Sequence, residues 1–140
     1  MIDIEPLRYA WTPGGQDTLT LGRLQVSTGQ TVFLHGPSGC GKSTLLGLLA
    51  GVLTPQQGRV SLLGQDWAAL KAGQRDAFRA DHVGVVFQQF NLLPFLSVLD
   101  NVTLPCRFSK LRLSRCQASG GPEATAQSWL QRMALPEALW

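Results

Sequence analysis

Gly36, Pro37, Ser38, Gly39, Cys40, Gly41, Lys42, Ser43 and Thr44 follow one another in the chain, and the first eight fit the pattern G-x-x-x-x-G-K-[ST]. Glycines at 36, 39 and 41 let the backbone turn its N–H groups toward a phosphate with no Cβ in the way. A helix starting at Lys42 would point the positive end of its dipole at the same anion. Lys42 supplies an ammonium for the β- and γ-phosphates, and Ser43 a hydroxyl for Mg²⁺. The surroundings agree with the pattern. Residues 31–35 (TVFLH) read as a short buried strand before the loop. After it, Leu45, Leu46, Leu48, Leu49 and Val52 recur at helical spacing over residues 42–52, until Pro55 and Gly58 close the helix. Strand, glycine loop and helix in this order predict a cradle for a triphosphate tail.

Outward from the loop, residues 2–11 and 18–27 carry alternating or β-rich stretches on either side of Thr12, Pro13, Gly14 and Gly15, which predicts a hairpin. Residues 59–63 return as a strand. Residues 67–80 place Leu70, Ala77 and Phe78 on one side of a helix, with Lys71, Arg75 and Arg79 elsewhere. Residues 83–87 are an apolar run suited to burial on both faces of a sheet. Ser97, followed three positions later by Asp100, opens another helix as a cap. Residues 118–122 read as a loop and 123–133 as a last helix. Strands alternating with helices predict an α/β sandwich with a mainly parallel sheet. The chain has no internal repeat and no low-complexity tract.

With 140 residues, the chain has room for one compact domain. A hydrophobic share of 44% against 15% charged residues excludes wholesale disorder. So low a charge fraction predicts a surface covered in part by further chain or by a partner. Twelve Lys and Arg against nine Asp and Glu leave a net charge of +3, too thin for a nucleic-acid footprint, so a nucleic-acid partner is not expected. The densest basic stretch, Arg107, Lys110, Arg112 and Arg115, reads as a solvated face. Cys40, Cys106 and Cys116 show no C-x-x-C spacing, which argues against a disulfide scaffold or a zinc site and fits a reducing compartment. Cys40 lies near the helix N-terminus. His35 and His82 read as structural residues beside their strands. Residues 1–6 (MIDIEP) have neither a basic nor an apolar region, so they do not read as a secretory signal. The uncharged stretch 83–99 is broken by Gln88, Gln89, Asn91 and Pro94, so no segment is expected to cross a bilayer and any membrane link would run through a partner.

The string GPSGCGKST, continued by LLGLLAGVLTPQQGRVSLLGQDW (45–67), resembles the ATP-binding-cassette (ABC) ATPase family. So do HVGVVFQQFNLLP (82–94) and LSVLDNV (96–102), and the resemblance runs over nearly the whole chain. Within the family it is most similar to the subgroup that drives lipoprotein release and macrolide export. The resemblance implies a P-loop NTPase (RecA-like) sandwich, incomplete, with an N-terminal antiparallel β segment and the start of a helical subdomain. Residues 1–90 would hold the β subdomain and the nucleotide-binding core through the Q-loop, and residues 91–140 the start of the helical part. Gln88 matches the Q-loop glutamine, which in the family contacts Mg²⁺ and the attacking water and links the nucleotide to the transmembrane subunit. A neutral amide suits that role because it both donates and accepts, and Gln89 is its near competitor. Trp11 aligns with the aromatic residue on which the family stacks adenine, with Tyr9 as the alternative. Two apart on a strand, their rings would share one face, and such stacking is worth roughly 1–3 kcal/mol. Leu92, Leu93, Pro94 and Phe95 would lie beside the groove for a coupling helix, or else pack in the core.

The family's other pieces for hydrolysis do not occur in these 140 residues: the LSGGQ-like signature, the Walker B aspartate, the glutamate after it and the switch histidine. Residues 134–140 (ALPEALW) resemble the segment just ahead of the signature. The expectation is therefore a cassette truncated before its signature, with ATP and Mg²⁺ as ligands and Lys42 and Gln88 as the catalytic residues. Its partners would be a transmembrane permease subunit and a second ABC ATPase subunit, and its place the cytoplasmic face of the cell membrane. Alone it should turn over ATP poorly and expose an apolar sheet edge that lacks a neighbour. Two other readings stay open, a non-hydrolysing nucleotide-binding module and a soluble ABC-type ATPase of DNA repair or translation.

Overall fold

Alternating apolar and polar residues build the first sheets. β1 (Ile2–Ile4), β2 (Leu7–Tyr9), β3 (Leu19–Leu21) and β4 (Leu24–Val26) nest as two antiparallel pairs around the turn at residues 12–15. Leu7 lies opposite Leu21 and Tyr9 opposite Leu19; further out, Ile2 faces Val26 and Ile4 faces Leu24. The expected hairpin is present. β5 (Val60–Leu62) takes the other edge of β1, with Ile4 against Val60, and a two-residue strand, β6 (Gln65–Asp66), completes the order β4-β1-β5-β6. Ile4, Leu7, Val60 and Trp67 are fully buried, and α1 (Lys42–Leu49) adds Leu45 and Leu48 to them as it packs against β5.

Two expectations for this region are corrected. The sheet is antiparallel throughout, not mainly parallel, because residues 31–35 and 83–87 form no strand. Both runs are apolar, but a strand exists only when another backbone takes up its N–H and C=O groups, and none does so here. Phe33 is 87% exposed and Val86 99% exposed, but with no strand at residues 31–35 the expected apolar sheet edge does not form, and the exposed apolar side chains lie on irregular backbone instead. The other correction concerns Trp67, which precedes a helix rather than opening one. Its N–H donates to the Val60 carbonyl at 3.1 Å, its ring fills the core, and α2 runs Ala72–His82. Gln74 reaches back to accept from the Lys71 N–H at 3.0 Å, half of a capping box, which sets that later start. The same ring lies against the end of α1, which stops at Leu49 rather than at residue 52. A Cβ on Gly51 (φ +69°) would lie 2.8 Å from the Trp67 indole, so the chain turns there on a residue without one.

The computed structural model describes residues 1–140, and the chain divides into two compact units, Met1–Arg75 and Asp76–Trp140. The second unit is helical: α3 (Val98–Thr103), α4 (Pro105–Phe108), α5 (Lys110–Gln117), α6 (Pro122–Arg132) and a short 3-10 turn, Glu137–Leu139. α6 buries Ala126 and Leu130 and packs against α3 and α5. Ser97 caps α3 as expected. Its Oγ accepts the Asp100 N–H at 3.0 Å and donates to Asp100 Oδ2 at 2.8 Å, so the shorter carboxylate meets the hydroxyl rather than the cap's own N–H. Ser109 caps α5 and donates to Asp81 Oδ1 at 2.5 Å. Arg112 is half-buried, not solvated. Its Nε donates to the Ala80 carbonyl at 2.6 Å and its Nη2 to the Val83 carbonyl at 3.0 Å, tying α5 to the end of α2. No helix is long and apolar enough to cross a membrane.

Candidate functional site

The loop before α1 has the backbone that its glycines predict. Gly39 (φ +81°) and Gly41 (φ +91°) are left-handed, the conformation that a Cβ disfavours. A Cβ on Gly41 would also press against the Thr18 carbonyl at 3.2 Å and Leu19 at 3.3 Å. At Gly36 a Cβ would come within 2.7 Å of the Cys40 sulfur, a side-chain tip that can swing aside, so the geometry there does not by itself require glycine. Gly41 occupies the cap position of α1 and no side chain caps the helix, so the first-turn N–H groups keep their capacity to donate.

Lys42 folds back over this loop. Its Nζ donates to the carbonyls of Gly36 at 2.8 Å and Pro37 at 2.6 Å, and lies 3.7 Å from the Cys40 sulfur. It forms no ion pair: the four in the chain join Arg8 to Asp17, Arg59 to Glu5, Arg79 to Asp76 and Arg107 to Asp100. Carbonyl dipoles hold the ammonium in place without neutralising it, and a positioned, uncompensated cation is what a phosphate recognises.

Lys42, Ser38, Gly39, Gly41, Ser43 and Thr44 line a cavity of about 330 Å³ together with Trp11 and Thr18. That is the lower end of the ligand-pocket range. Trp11 is 62% exposed, whereas Tyr9 is 7% exposed and belongs to the core. The two rings meet edge to face with centroids 5.4 Å apart. The strand ends at Tyr9, so they do not present one shared strand face. Thr44 is buried beneath the loop. Thr18 escaped the sequence reading because no motif marks it. The hairpin brings it there, with its N–H donating to the Tyr9 carbonyl at 2.8 Å.

Gln88 and Gln89 lie exposed in a bend of the second unit, while the glycine loop belongs to the first. Phe90, Leu92 and Phe95 are exposed rather than packed in a core. The segment is held from one side by Asn101, whose Oδ1 accepts the Leu93 N–H at 2.9 Å. Its Nδ2 donates to the carbonyls of Leu93 and Ser97 at 3.1 and 2.9 Å. His35 stacks beside Phe33, and His82 packs against Phe78 at the end of α2. No cluster of His, Cys, Asp or Glu could hold a metal by itself.

Residues 20–139 match the family described as ABC transporter, and the chain belongs to that family. It is 41% identical over 121 residues to the uncharacterized ABC transporter ATP-binding protein YbbA of Escherichia coli (strain K12), covering 86% of this chain and 50% of that protein. It is 42% identical over 97 residues to the uncharacterized ABC transporter ATP-binding protein Rv0073 of Mycobacterium tuberculosis (strain ATCC 25618 / H37Rv), covering 68% of this chain and 29% of that one. Among solved structures it resembles the ATP-binding cassette MJ0796 in a dimeric post-hydrolysis state bound to ADP and Pi. There the TM-score is 0.83 at 30% identity, over 99% of this chain and 60% of that one. The antiparallel sheets and the loop–helix unit thus belong to an ABC cassette fold, of the P-loop NTPase class expected. The chain spans half or less of the curated relatives it matches.

Proposed function

We propose that residues 1–140 are the ATP-binding part of an ABC transporter ATPase that takes ATP with Mg²⁺. One observation carries this reading: the Lys42 ammonium, without a carboxylate partner, stands over a glycine loop in a cavity that Trp11 and Ser43 also line. The triphosphate would replace the carbonyls as partners of Lys42 and accept from the first-turn N–H groups of α1. Trp11, exposed where Tyr9 is buried, would stack on the adenine. Mg²⁺ prefers oxygen ligands and keeps few from the protein. The Ser43 hydroxyl in the cavity wall fits that preference, and Gln88 would join it when the nucleotide is bound. The metal would neutralise charge developing on the phosphates.

In the whole protein, hydrolysis would drive transport. A second cassette would pair with this one, a transmembrane permease subunit would receive the exposed segment at residues 90–95, and the pair would sit at the cytoplasmic face of the membrane. Residues 1–90 would serve the nucleotide and 91–140 the coupling to the permease. The runs quoted above favour the lipoprotein-release and macrolide-export subgroup. Residues 1–140 alone would bind ATP and hydrolyse it poorly, because no carboxylate lines the cavity to orient a water.

Calorimetry with Mg·ATP on the folded chain tests the reading. Saturable binding that Lys42→Ala weakens supports it; no heat of binding from a demonstrably folded sample overturns it. A steady-state phosphate-release assay tests the second part, where vigorous Lys42-dependent turnover by these 140 residues would be the contrary result.

A further inference from the structure

Two of the three cysteines meet. Cys106 lies in α4 and Cys116 in α5, and their sulfurs share a thiol hydrogen bond at 3.6 Å. α4 and α5 are joined through Ser109 alone, so the two short helices fold back on each other and bring together residues ten apart in sequence. A disulfide needs its sulfurs about 1.5 Å closer. Both thiols are half-buried, and both line a cavity of about 300 Å³ with Arg112, Arg115 and Trp129. No acidic side chain lines that cavity, so its charge is cationic.

We propose that Cys106 and Cys116 form a thiol–disulfide exchange site, which closes to an intrachain disulfide on meeting a small anionic disulfide of the glutathione type. The cationic wall selects an anionic reagent, and the cavity gives it access to sulfur. The Cys116 thiolate attacks one sulfur of the reagent, breaks its S–S bond and releases one small thiolate. The Cys106 thiolate then attacks the Cys116 sulfur of the mixed disulfide and releases the second. Two electrons pass from the protein pair to the reagent, and the two protein protons end on the two released thiols. Burial, and then the hydrogen bond and charge of Cys116, push the Cys106 thiol above its usual range, with Arg112 opposing them. Cys106 therefore acts second, once its neighbour's charge is consumed in the mixed disulfide. The closed bond would pin α4 to α5 beside Arg112, which grips the end of α2.

The test begins with the folded 140-residue chain without substitution. It is equilibrated without oxygen in glutathione buffers of rising disulfide-to-thiol ratio, quenched in acid, alkylated and mapped by mass. Two thiols should disappear together as a Cys106–Cys116 link, Cys40 should stay outside it, and excess thiol should reverse it. The half-oxidation ratio should lie about ten-fold or more below that of the same chain in urea, because only the fold holds the sulfurs together. Cys106→Ser should stop at a mixed disulfide on Cys116. Separate glutathione adducts on Cys106 and Cys116, a link to Cys40, or equal midpoints with and without urea would each overturn the proposal.

Discussion

The glycine loop at residues 36–44 and the segment at 83–95 both lie within the stretch that matches the family, yet they reach the folded state differently. The loop carries its structure with it. Its left-handed glycines, the turn of α1 and the bonds from Lys42 to two carbonyls all lie within a dozen residues. The segment at 83–95 has no comparable internal support and is held only toward its ends, by Arg112 at Val83 and by Asn101 at Leu93. Short-range hydrogen bonds shape the glycine loop from local sequence, while an apolar run needs a neighbour before it becomes a strand.

That contrast can be broken by experiment. The largest effect is expected at Lys42. Replacement by alanine should weaken Mg·ATP binding by about 10- to 100-fold, in line with about 1.5–3 kcal/mol for hydrogen bonds to a charged group. Gln88→Ala, which removes a neutral amide, should weaken it less, and equal losses by calorimetry would show that the two regions carry the ligand alike. Next comes Gly41→Ala, which forces a Cβ into a left-handed residue and against the Thr18 carbonyl. We expect a loss of about 1–2 kcal/mol in a urea titration, and no loss would mean that the loop is less rigid than its geometry implies. Ser97→Ala should remove about 1 kcal/mol through the cap of α3. In hydrogen exchange, the same variant should loosen residues 93–97 and leave residues 36–44 unchanged. The smallest effect on stability belongs to Val86→Lys, at most about 0.5 kcal/mol at so exposed a position. It should nevertheless reduce self-association in sedimentation, and a large loss of stability there would reveal a packing role.

Much of this was legible in the residues. The turn at 12–15, the start of α1 at Lys42, the Ser97 cap and α6 are all set by local chemistry: turn glycines, a helix-opening loop and a cap hydroxyl. Other features were not. Trp67 has the period of a helix, but core burial outweighs helical preference at that position. Arg112 belongs to a basic stretch, yet the carbonyls of Ala80 in α2 and of Val83 just past its end, far away in sequence, draw it inward. Cys106 and Cys116 match no spacing rule, because what joins them is the fold of two short helices about Ser109.

The order of residues alone thus decides that a glycine loop forms ahead of α1, which side chains it offers, and to which family the chain belongs, because glycine freedom and near-neighbour hydrogen bonds act over a few residues. Tertiary structure alone decides that Trp11 rather than Tyr9 reaches the cavity, that the sheets run antiparallel, and that two cysteines touch. Each of these depends on which distant backbone or side chain arrives alongside, and long-range packing, not local preference, determines that.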